Sequence, residues 1–372
     1  MEEMWYEYWF ANLKPLTDKK KRHLKTACGK ISKLFYIEEK KLKMFSFLEE
    51  KDIRLILDSR TVWKLKEEYE RLRGKGVELV PYLSPQYPVN LTQISSPPYA
   101  LYVKGQLPDE NRPSVAIVGA RGCSPYGEHQ TEAFTEILVA HDIQIISGMA
   151  RGIDGIAQRK AVETGGRTFG ILASGADVCY PREHIELYMN LQKQGGIITE
   201  QPPETAPLPQ YFPARNRIIS GLADAVLVME AKKKSGSLIT ADFALEQGKD
   251  VYALPGMITN VLSQGCNELI AQGAGILLSP EELVKELEVA WANRNFKESK
   301  LCAKNVEKLL KKEIMLESTE KLLYSCLGQE QKNLNQLIHE LGLPAQVLME
   351  QMISLEMKGL VQEITKNYYV RI

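Results

Sequence analysis

Five segments of this sequence combine small residues with a positive charge in a way that suits the binding of phosphate. They cover residues 119–127, 147–154, 173–182, 212–221 and 232–240, and each contains glycine, serine or threonine together with arginine or lysine. Backbone N–H groups at a glycine-rich helix start attract anions, and the guanidinium of arginine binds a phosphate through two parallel hydrogen bonds. Gathered on one edge of a sheet, the five segments would form a pocket for several phosphates, such as those of a polynucleotide or of a nucleotide with a polyphosphate.

The elements around these segments predict how they come together. Short apolar runs alternate with stretches of helical length, and the predicted strands are Val115–Val118, Ile143–Ile146, Thr168–Leu172, Gly196–Thr199, Ala225–Met229, Val251–Leu254 and Gly275–Leu277. This alternation indicates an α/β fold over residues 112–289, Rossmann-like and doubly wound, with a mostly parallel sheet. Ser124 followed by Pro125 predicts a helix start. Ligands of such sheets bind beyond the carboxyl ends of the strands, where the five segments lie.

Two nucleotide-binding motifs and the common catalytic arrangements fit poorly. The dinucleotide fingerprint G-x-G-x-x-G is not matched after the first strand, and the Walker motif is absent because Glu128 and His129 stand where it requires lysine and a hydroxyl. The five histidines form no metal-binding pair. Asp154, Asp177 and Glu200 could serve acid–base chemistry, but helix capping and pairing with arginine are favoured for them.

Composition excludes several classes of protein. The 372 residues carry 47 basic and 47 acidic side chains, so bulk charge does not indicate a nucleic-acid binder and any such site must be a local patch. No apolar run reaches the roughly 18 residues of a membrane span. The acidic start does not resemble a secretory signal, and six scattered cysteines without a CxxC pair favour a reducing cytoplasm.

The flanking segments predict separate modules. Residues 1–75 are expected to form a small helical domain, with the aromatic run at residues 4–10 as its core rather than a base-stacking surface. Residues 76–111 are rich in proline and are expected to be an extended linker or extension, which could include an edge strand. Residues 290–315 are expected to be a helical linker. The order of three helices and two strands over residues 316–372 predicts a winged helix-turn-helix.

The order of these motifs resembles the DNA-processing protein A family, also called DprA or Smf. The matching motifs begin with Val118-Gly119-Ala120-Arg121, followed by Ser124 and Tyr126-Gly127, Ser147-Gly148, Gly152-Ile153-Asp154 and Tyr180-Pro181. It continues with Phe212-Pro213-Ala214-Arg215-Asn216-Arg217-Ile218-Ile219-Ser220-Gly221, Ser235-Gly236-Ser237-Leu238-Ile239-Thr240-Ala241 and Leu254-Pro255-Gly256. The resemblance is strong over residues 80–280. The flanking modules, of which the N-terminal one is of the sterile-alpha-motif (SAM) kind, match the family's optional ends in kind.

This resemblance implies a protein that binds single-stranded DNA, protects it during natural transformation and loads a recombinase of the RecA type onto it. It also implies a homodimer in the cytoplasm, with no catalysis, cofactor or metal. The expected DNA-binding residues, from the resemblance and the loops together, are Gly119, Arg121, Ser147, Gly148, Arg182, Phe212, Arg215, Asn216, Arg217, Ser235, Gly236, Ser237 and Thr240. Tyr180 and Tyr211 join Phe212 as candidates for base stacking.

Departures from the family pattern qualify these expectations. His184 stands where asparagine is common, and Pro209-Gln210 occupy a stretch that often carries lysine. The expected recognition helix of the winged module, residues 344–357, carries Glu350 and Glu356 and no lysine or arginine. A helix entering the major groove needs the opposite charge. We therefore predict that this module contacts protein, or the rest of the chain.

Two other functions compete with DNA binding. The first is a phosphoribohydrolase acting on nucleoside monophosphates, a related fold that carries P-G-G-x-G-T-x-x-E near the fifth segment. Thr240 falls where that glutamate would stand, so a base to activate water is missing. The second is a regulatory scaffold in which the winged module is the active part. Deletion of residues 300–372 separates the second function from strand binding.

Overall fold

The chain divides into two compact units. The computed structural model describes residues 2–291, 318–327, 332–358, 360–365 and 368–371. One unit is Arg71–Lys300, and the other combines Met1–Glu70 with Leu301–Ile372. Most of the predicted linker, residues 292–315, lies outside the described residues. Among those that are described, no helix is long and apolar enough to span a membrane.

The larger unit is built around one sheet. Its strands are β1 (Glu78–Pro81), β2 (Ala100–Gly105), β3 (Ser114–Val118), β4 (Gln144–Ser147), β5 (Thr168–Ile171), β6 (Gly195–Thr199), β7 (Ala225–Val228), β8 (Asp250–Ala253) and β9 (Gly275–Ile276). Its helices are α7 (Val89–Thr92), α8 (Pro125–Ala140), α9 (Ile153–Glu163), α10 (Ile185–Gln194), α11 (Tyr211–Leu222), α12 (Gly236–Glu246), α13 (Gln264–Ala271) and α14 (described over residues 280–291). The seven predicted strands are confirmed as β3 to β9, with ends shifted by at most one residue.

The strand order explains where a ligand can bind. In the described part of the chain the order is β1-β2-β6-β5-β4-β3-β7-β8-β9, and every pair from β6 to β9 is parallel. The chain moves outward in one direction from β3 through β6 and then returns to start β7 on the other side of β3. The direction of winding therefore reverses between β3 and β7, and the carboxyl ends of these two strands border a crevice.

Alternate residues of the central strands enter two separate cores. Val115 and Ile117 of β3 pack in one apolar cluster, whereas Ala116 and Val118 pack in another. Successive side chains of a strand point to opposite faces, so both faces of β3 are covered by helices. This double burial is why the strand sequences read as continuous apolar runs, and it confirms the doubly wound fold.

Residues 76–111, expected to be a linker or extension that could include an edge strand, contribute two strands to the sheet. Strand β1 pairs antiparallel with β2, and β2 pairs antiparallel with β6. Tyr87, Tyr99 and Tyr102 are buried. Pro81 ends β1 at the sheet edge, where a residue without a backbone N–H is tolerated. The segment is thus an extension of the sheet.

The other unit joins both ends of the chain. Its N-terminal helices are α1 (Glu2–Ala11), α2 (Asp18–Cys28), α3 (Ile31–Tyr36), α4 (Glu39–Leu42) and α5 (Glu50–Val62); α6 (Leu65–Gly74) crosses the boundary between the units. Its C-terminal elements are α15 (Ser318–Cys326), β10 (Lys332–Asn333), α16 (Leu334–Leu341), α17 (Ala345–Met357), β11 (Val361–Thr365) and β12 (Tyr368–Arg371). Trp9 and Phe10 are fully buried, which confirms that the aromatic run is core. Three helices followed by paired strands confirm the winged helix.

Helix α17 packs against the N-terminal helices of its own unit. The carboxylate of Glu356 pairs with Lys41 at 2.8 Å, and Glu350 accepts a hydrogen bond from the backbone N–H of Ser46 at 2.9 Å. Lys33 donates to the carbonyl oxygen of Met357, the last residue of the helix. Glu350 and Glu356, whose charge disfavours binding of this helix in the major groove of DNA, therefore contact the rest of the chain, as the sequence predicted.

Candidate functional site

A cleft of about 530 Å³ opens at the crevice between β3 and β7. It is lined by nine of the thirteen expected DNA-binding residues: Gly119, Arg121, Phe212, Arg215, Asn216, Ser235, Gly236, Ser237 and Thr240. They come from the turn after β3, from the start of α11, and from the turn after β7 with the start of α12. Three segments that are distant in sequence thus converge on one cleft.

Arg121 places an exposed positive charge at this cleft. Its guanidinium carbon lies 5.5 Å from the centroid of the Phe212 ring, and the ring of Tyr180 packs edge-on against Phe212 at 5.7 Å. Within the part of the chain that the structure describes, no carboxylate pairs with Arg121. A planar cation beside two aromatic rings can contact a phosphate while the rings accept a base.

Arg215 is held much more rigidly than Arg121. It is 5% exposed, and its Nη1 donates to the carbonyl oxygens of Gly148, at 2.7 Å, and of Ile171. Burial lowers its pKa to about 10, an effect that the nearby Asp154 opposes. The guanidinium therefore remains charged at neutral pH. A Cβ atom at residue 148 would lie 2.4 Å from Nη1, so Gly148 is required for this placement.

Asp154 is a carboxylate at the floor of the cleft. It accepts a hydrogen bond from the backbone N–H of Gly148 at 3.1 Å, and it lies at the start of α9. Burial raises its pKa, while the charge of Arg215 acts in the opposite direction. Asp154 thus offsets part of the charge of Arg215 and leaves Arg121 and Lys234 as the exposed cations lining the cleft.

The start of α12 forms another wall of the cleft. Ser235 is the N-cap residue, and its hydroxyl lies 2.8 Å from that of Ser237. Gly236 is exposed, and the space beside it is open. The positive end of the helix dipole and the ammonium of Lys234 both favour an anion at this wall. The sequence left the orientation of the lysines at 232–234 open, and the structure brings Lys234 to the cleft.

Four expected residues do not line the cleft. Arg217 forms an ion pair with Glu200, and each side chain is only 13% exposed. Ser147 is buried and its hydroxyl donates to the carbonyl of Ile117 at 2.6 Å, whereas Gly148 packs behind Arg215. Arg182 is exposed on a short 3₁₀ helix two residues beyond Tyr180. The polar groups of Arg217 and Ser147 are already engaged within the protein, and a contact of either residue with DNA stays a prediction.

His184 also has a structural role. Its Nδ1 lies 3.2 Å from the carbonyl oxygen of Met149 and must donate to it, which leaves Nε2 to accept from Arg159 at 3.5 Å. Burial lowers the pKa of this imidazole. A Cβ at residue 155 would lie 2.6 Å from the ring, so Gly155 admits it to the start of α9.

Sequence reasoning missed Pro207, which lines the cleft wall together with Pro209. They belong to the irregular segment between β6 and α11. Its density of proline, which prevents regular structure, was the available signal. Because this segment follows the carboxyl end of β6, it had to lie on the same edge of the sheet as the other loops.

The fold and the cleft together define a doubly wound α/β protein with an open cationic site for a polyanion. A family model described as DNA recombination-mediator protein A matches residues 78–288, and one described as DprA winged helix domain matches residues 312–364. The first match covers more than half of the chain, so the chain belongs to the DNA recombination-mediator protein A family.

Individual relatives agree with this assignment. The chain is 44% identical over 211 residues to protein Smf of Escherichia coli, a match that covers 56% of each protein. It is 40% identical over 226 residues to DNA processing protein DprA of Bacillus subtilis, covering 60% of this chain and 76% of the relative. The chain thus spans about half the length of the first relative and about three quarters of the second.

Solved structures show the same similarity. DNA processing protein A of Streptococcus pneumoniae aligns with a TM-score of 0.60 at 31% identity, over 73% of this chain and 98% of that one. DNA processing protein A of Helicobacter pylori, described as having a unique single-stranded DNA binding mode, aligns with a TM-score of 0.52 at 27% identity, over 57% and 96%.

Proposed function

We propose that this protein binds single-stranded DNA in the cleft between β3 and β7. The observation that carries the proposal is the exposed guanidinium of Arg121 above the Phe212 ring, next to the open start of α12. Cations and helix N–H groups suit phosphates, and the two aromatic rings suit unpaired bases. A duplex keeps its bases stacked on one another, so it cannot use the rings, and we expect single strands to be preferred.

The biological role that we propose follows the family. The protein protects incoming strands during natural transformation and loads a recombinase of the RecA type onto them, acting in the cytoplasm as a homodimer. The description of the family as a recombination mediator and the single-strand binding of the Helicobacter pylori relative support this role. In this proposal the protein acts by binding, without catalysis or a cofactor.

The competing phosphoribohydrolase reaction finds little support in the cleft. Thr240, which stands in place of the glutamate of that fold, is 1% exposed and offers a hydroxyl rather than a carboxylate. Asp154 is engaged by the backbone N–H of Gly148 and by the charge of Arg215. Release of adenine from AMP by the purified protein would favour this reaction over simple binding.

Fluorescence anisotropy with a labelled oligothymidylate tests the binding proposal. We expect tighter binding of the single strand than of a duplex, with log K falling by about 0.7 per phosphate contacted for each tenfold rise in salt. Arg121→Ala should weaken binding and reduce this slope. The matched control is Lys193→Ala, since Lys193 is exposed near the end of α10, at the opposite edge of the sheet. Equal affinities for strand and duplex, or equal effects of the two substitutions, would contradict the proposal.

A further inference from the structure

Glu230 is a buried carboxylate that the proposed strand binding does not use. It follows β7 by two residues and is 1% exposed. Its oxygens accept hydrogen bonds from the backbone N–H of Ser124, at 2.8 Å, and from the hydroxyl of Ser124, at 2.6 Å. No ion pair with a cation is found for Glu230 among the described residues. Burying a carboxylate is costly unless other groups compensate its charge, and here the N–H, the hydroxyl and the helix start provide that compensation.

The position of this carboxylate is the start of α8. Ser124 is the N-cap residue of this helix, and its hydroxyl also accepts from the N–H of Gly127 at 3.2 Å. A Cβ at residue 127 would lie 2.4 Å from Oε2 of Glu230, so Glu230 packs directly against the first turn. The helix has 16 residues, and its positive end is therefore already occupied by a negative charge from within the protein.

In a doubly wound sheet, the first helix after the first parallel strand is where the phosphates of a bound nucleotide usually rest. Here the first parallel strand is β3 and the helix after it is α8, and Glu230 occupies the place where the phosphates would rest. The backbone oxygen of Glu230 would lie 3.1 Å from a Cβ on Gly119, which lines the cleft. The filled position is therefore immediately beside the cleft. By contrast, the start of α12 carries the exposed Gly236 with open space beside it.

We propose that Glu230 is a specificity-determining residue that excludes free nucleotides by taking the place of their terminal phosphates at the start of α8. The exclusion is both steric and electrostatic, because the carboxylate fills the turn and its charge repels a second anion. Phosphates entering the cleft are left with Arg121, Lys234 and the start of α12. A strand that spans these groups can bind, whereas a diphosphate that needs a cradle in the first turn cannot. Only the effect of Glu230 on what binds in the cleft rests on the proposed strand binding. Its role at the start of α8 does not.

The test is titration with pyrophosphate of protein labelled with ¹⁵N at glycine. The amide of Gly127 reports on the start of α8, and the amide of Gly236 reports on the start of α12. In the unaltered protein we expect pyrophosphate to leave the Gly127 signal unmoved, whatever it does at Gly236. In Glu230→Ala the carboxylate is removed, and the Gly127 signal should shift in a saturable manner. Glu230→Gln, which is neutral but fills the same space, should respond much less than Glu230→Ala.

Glu230→Ala also removes an acceptor from Ser124 and lowers stability, and this supplies a second readout. Phosphate or formate should raise the melting temperature of this variant, or restore its folding, more than chloride at equal ionic strength does. The unaltered protein should show no such preference. An unmoved Gly127 signal in a folded Glu230→Ala protein would overturn the proposal. So would an unfolded variant that no anion restores, or a shift at Gly127 in the unaltered protein.

Competition between pyrophosphate and single-stranded DNA for the cleft connects the two proposals, and its outcomes distinguish the failure of one from the failure of the other. Pyrophosphate should displace a labelled oligothymidylate more readily from Glu230→Ala than from the unaltered protein. If the unaltered protein binds no strand, the proposed function fails while the titration at Gly127 still decides the role of Glu230. Pyrophosphate could bind at Gly127 in the variant and yet displace the strand from both proteins equally. In that case Glu230 does occupy an anion position, but its role in excluding nucleotides from the cleft is overturned.

Discussion

The guanidinium of Arg121 and the ring of Phe212 lie 5.5 Å apart, although 91 positions separate the two residues in the sequence. Arg215 approaches the same ring at 6.0 Å. One aromatic ring therefore contacts two cations, one exposed and one buried. This places a stacking surface and an exposed charge within the reach of a single nucleotide.

Phe212→Ala should weaken the binding of single strands. Stacking of a base on an aromatic side chain contributes about 1–3 kcal/mol, which corresponds to a loss of roughly 5- to 150-fold in affinity. Because no charge is removed, the salt dependence should stay that of the unaltered protein. Anisotropy with oligothymidylate at two salt concentrations measures both quantities. Phe212→Tyr, which keeps the ring, is the control, and similar losses in both variants would argue against stacking.

Arg217→Ala should destabilise the fold while leaving strand binding nearly unchanged. Its partner Glu200 is largely buried and would lose its compensating charge, a change that costs about 3–5 kcal/mol in buried pairs. We expect the lower end of this range because both side chains retain some exposure. Urea unfolding measures the loss. The double variant Arg217→Met with Glu200→Leu should recover part of it, and a clear drop in affinity for DNA would contradict the structural role.

The contrast between Arg215 and Arg217 shows what sequence can and cannot predict. The sequence of residues 212–221 indicated that both arginines belong to one phosphate-binding site. Two residues along an α-helix correspond to a rotation of about 200° around its axis. The side chains at 215 and 217 therefore lie on nearly opposite faces of the helix. Helical geometry could have predicted this separation, but not the partner: Glu200 comes from the segment after β6, and only the folded sheet brings it close.

The sheet itself was far easier to predict than its edge. The strands from β3 to β9 are buried apolar runs, and their alternation with helices is visible in the sequence. Strands β1 and β2 were missed as a pair because the prolines between them and within β1 interrupt the pattern. Their pairing is fixed by contact with β6, a long-range interaction that local sequence does not encode. The same holds for Glu230, which looked like any other acidic residue after a strand.

His184 should make stability depend on pH. Burial lowers its pKa in the folded protein below the value of about 6.5 expected in the unfolded chain. The unfolded state therefore binds the proton more readily, so stability falls as the pH drops below about 6.5 and through the lowered pKa. Urea unfolding between pH 7.5 and pH 5 should show a smaller loss for His184→Asn than for the unaltered protein. Identical pH profiles for the two proteins would show that His184 does not contribute.

The contact between Lys41 and Glu356 should hold α17 against the N-terminal helices. The side chains are 33% and 25% exposed, so this pair contributes less than about 1 kcal/mol and weakens with salt. Lys41→Glu places two like charges together, and we expect faster hydrogen exchange in the backbone of residues 345–357. Adding Glu356→Lys restores an opposite pair and should restore protection. The control is Lys43→Glu with Glu39→Lys, which exchanges a pair contained within the N-terminal helices. If exchange in α17 is the same in every variant, the charge pair does not hold this helix in place.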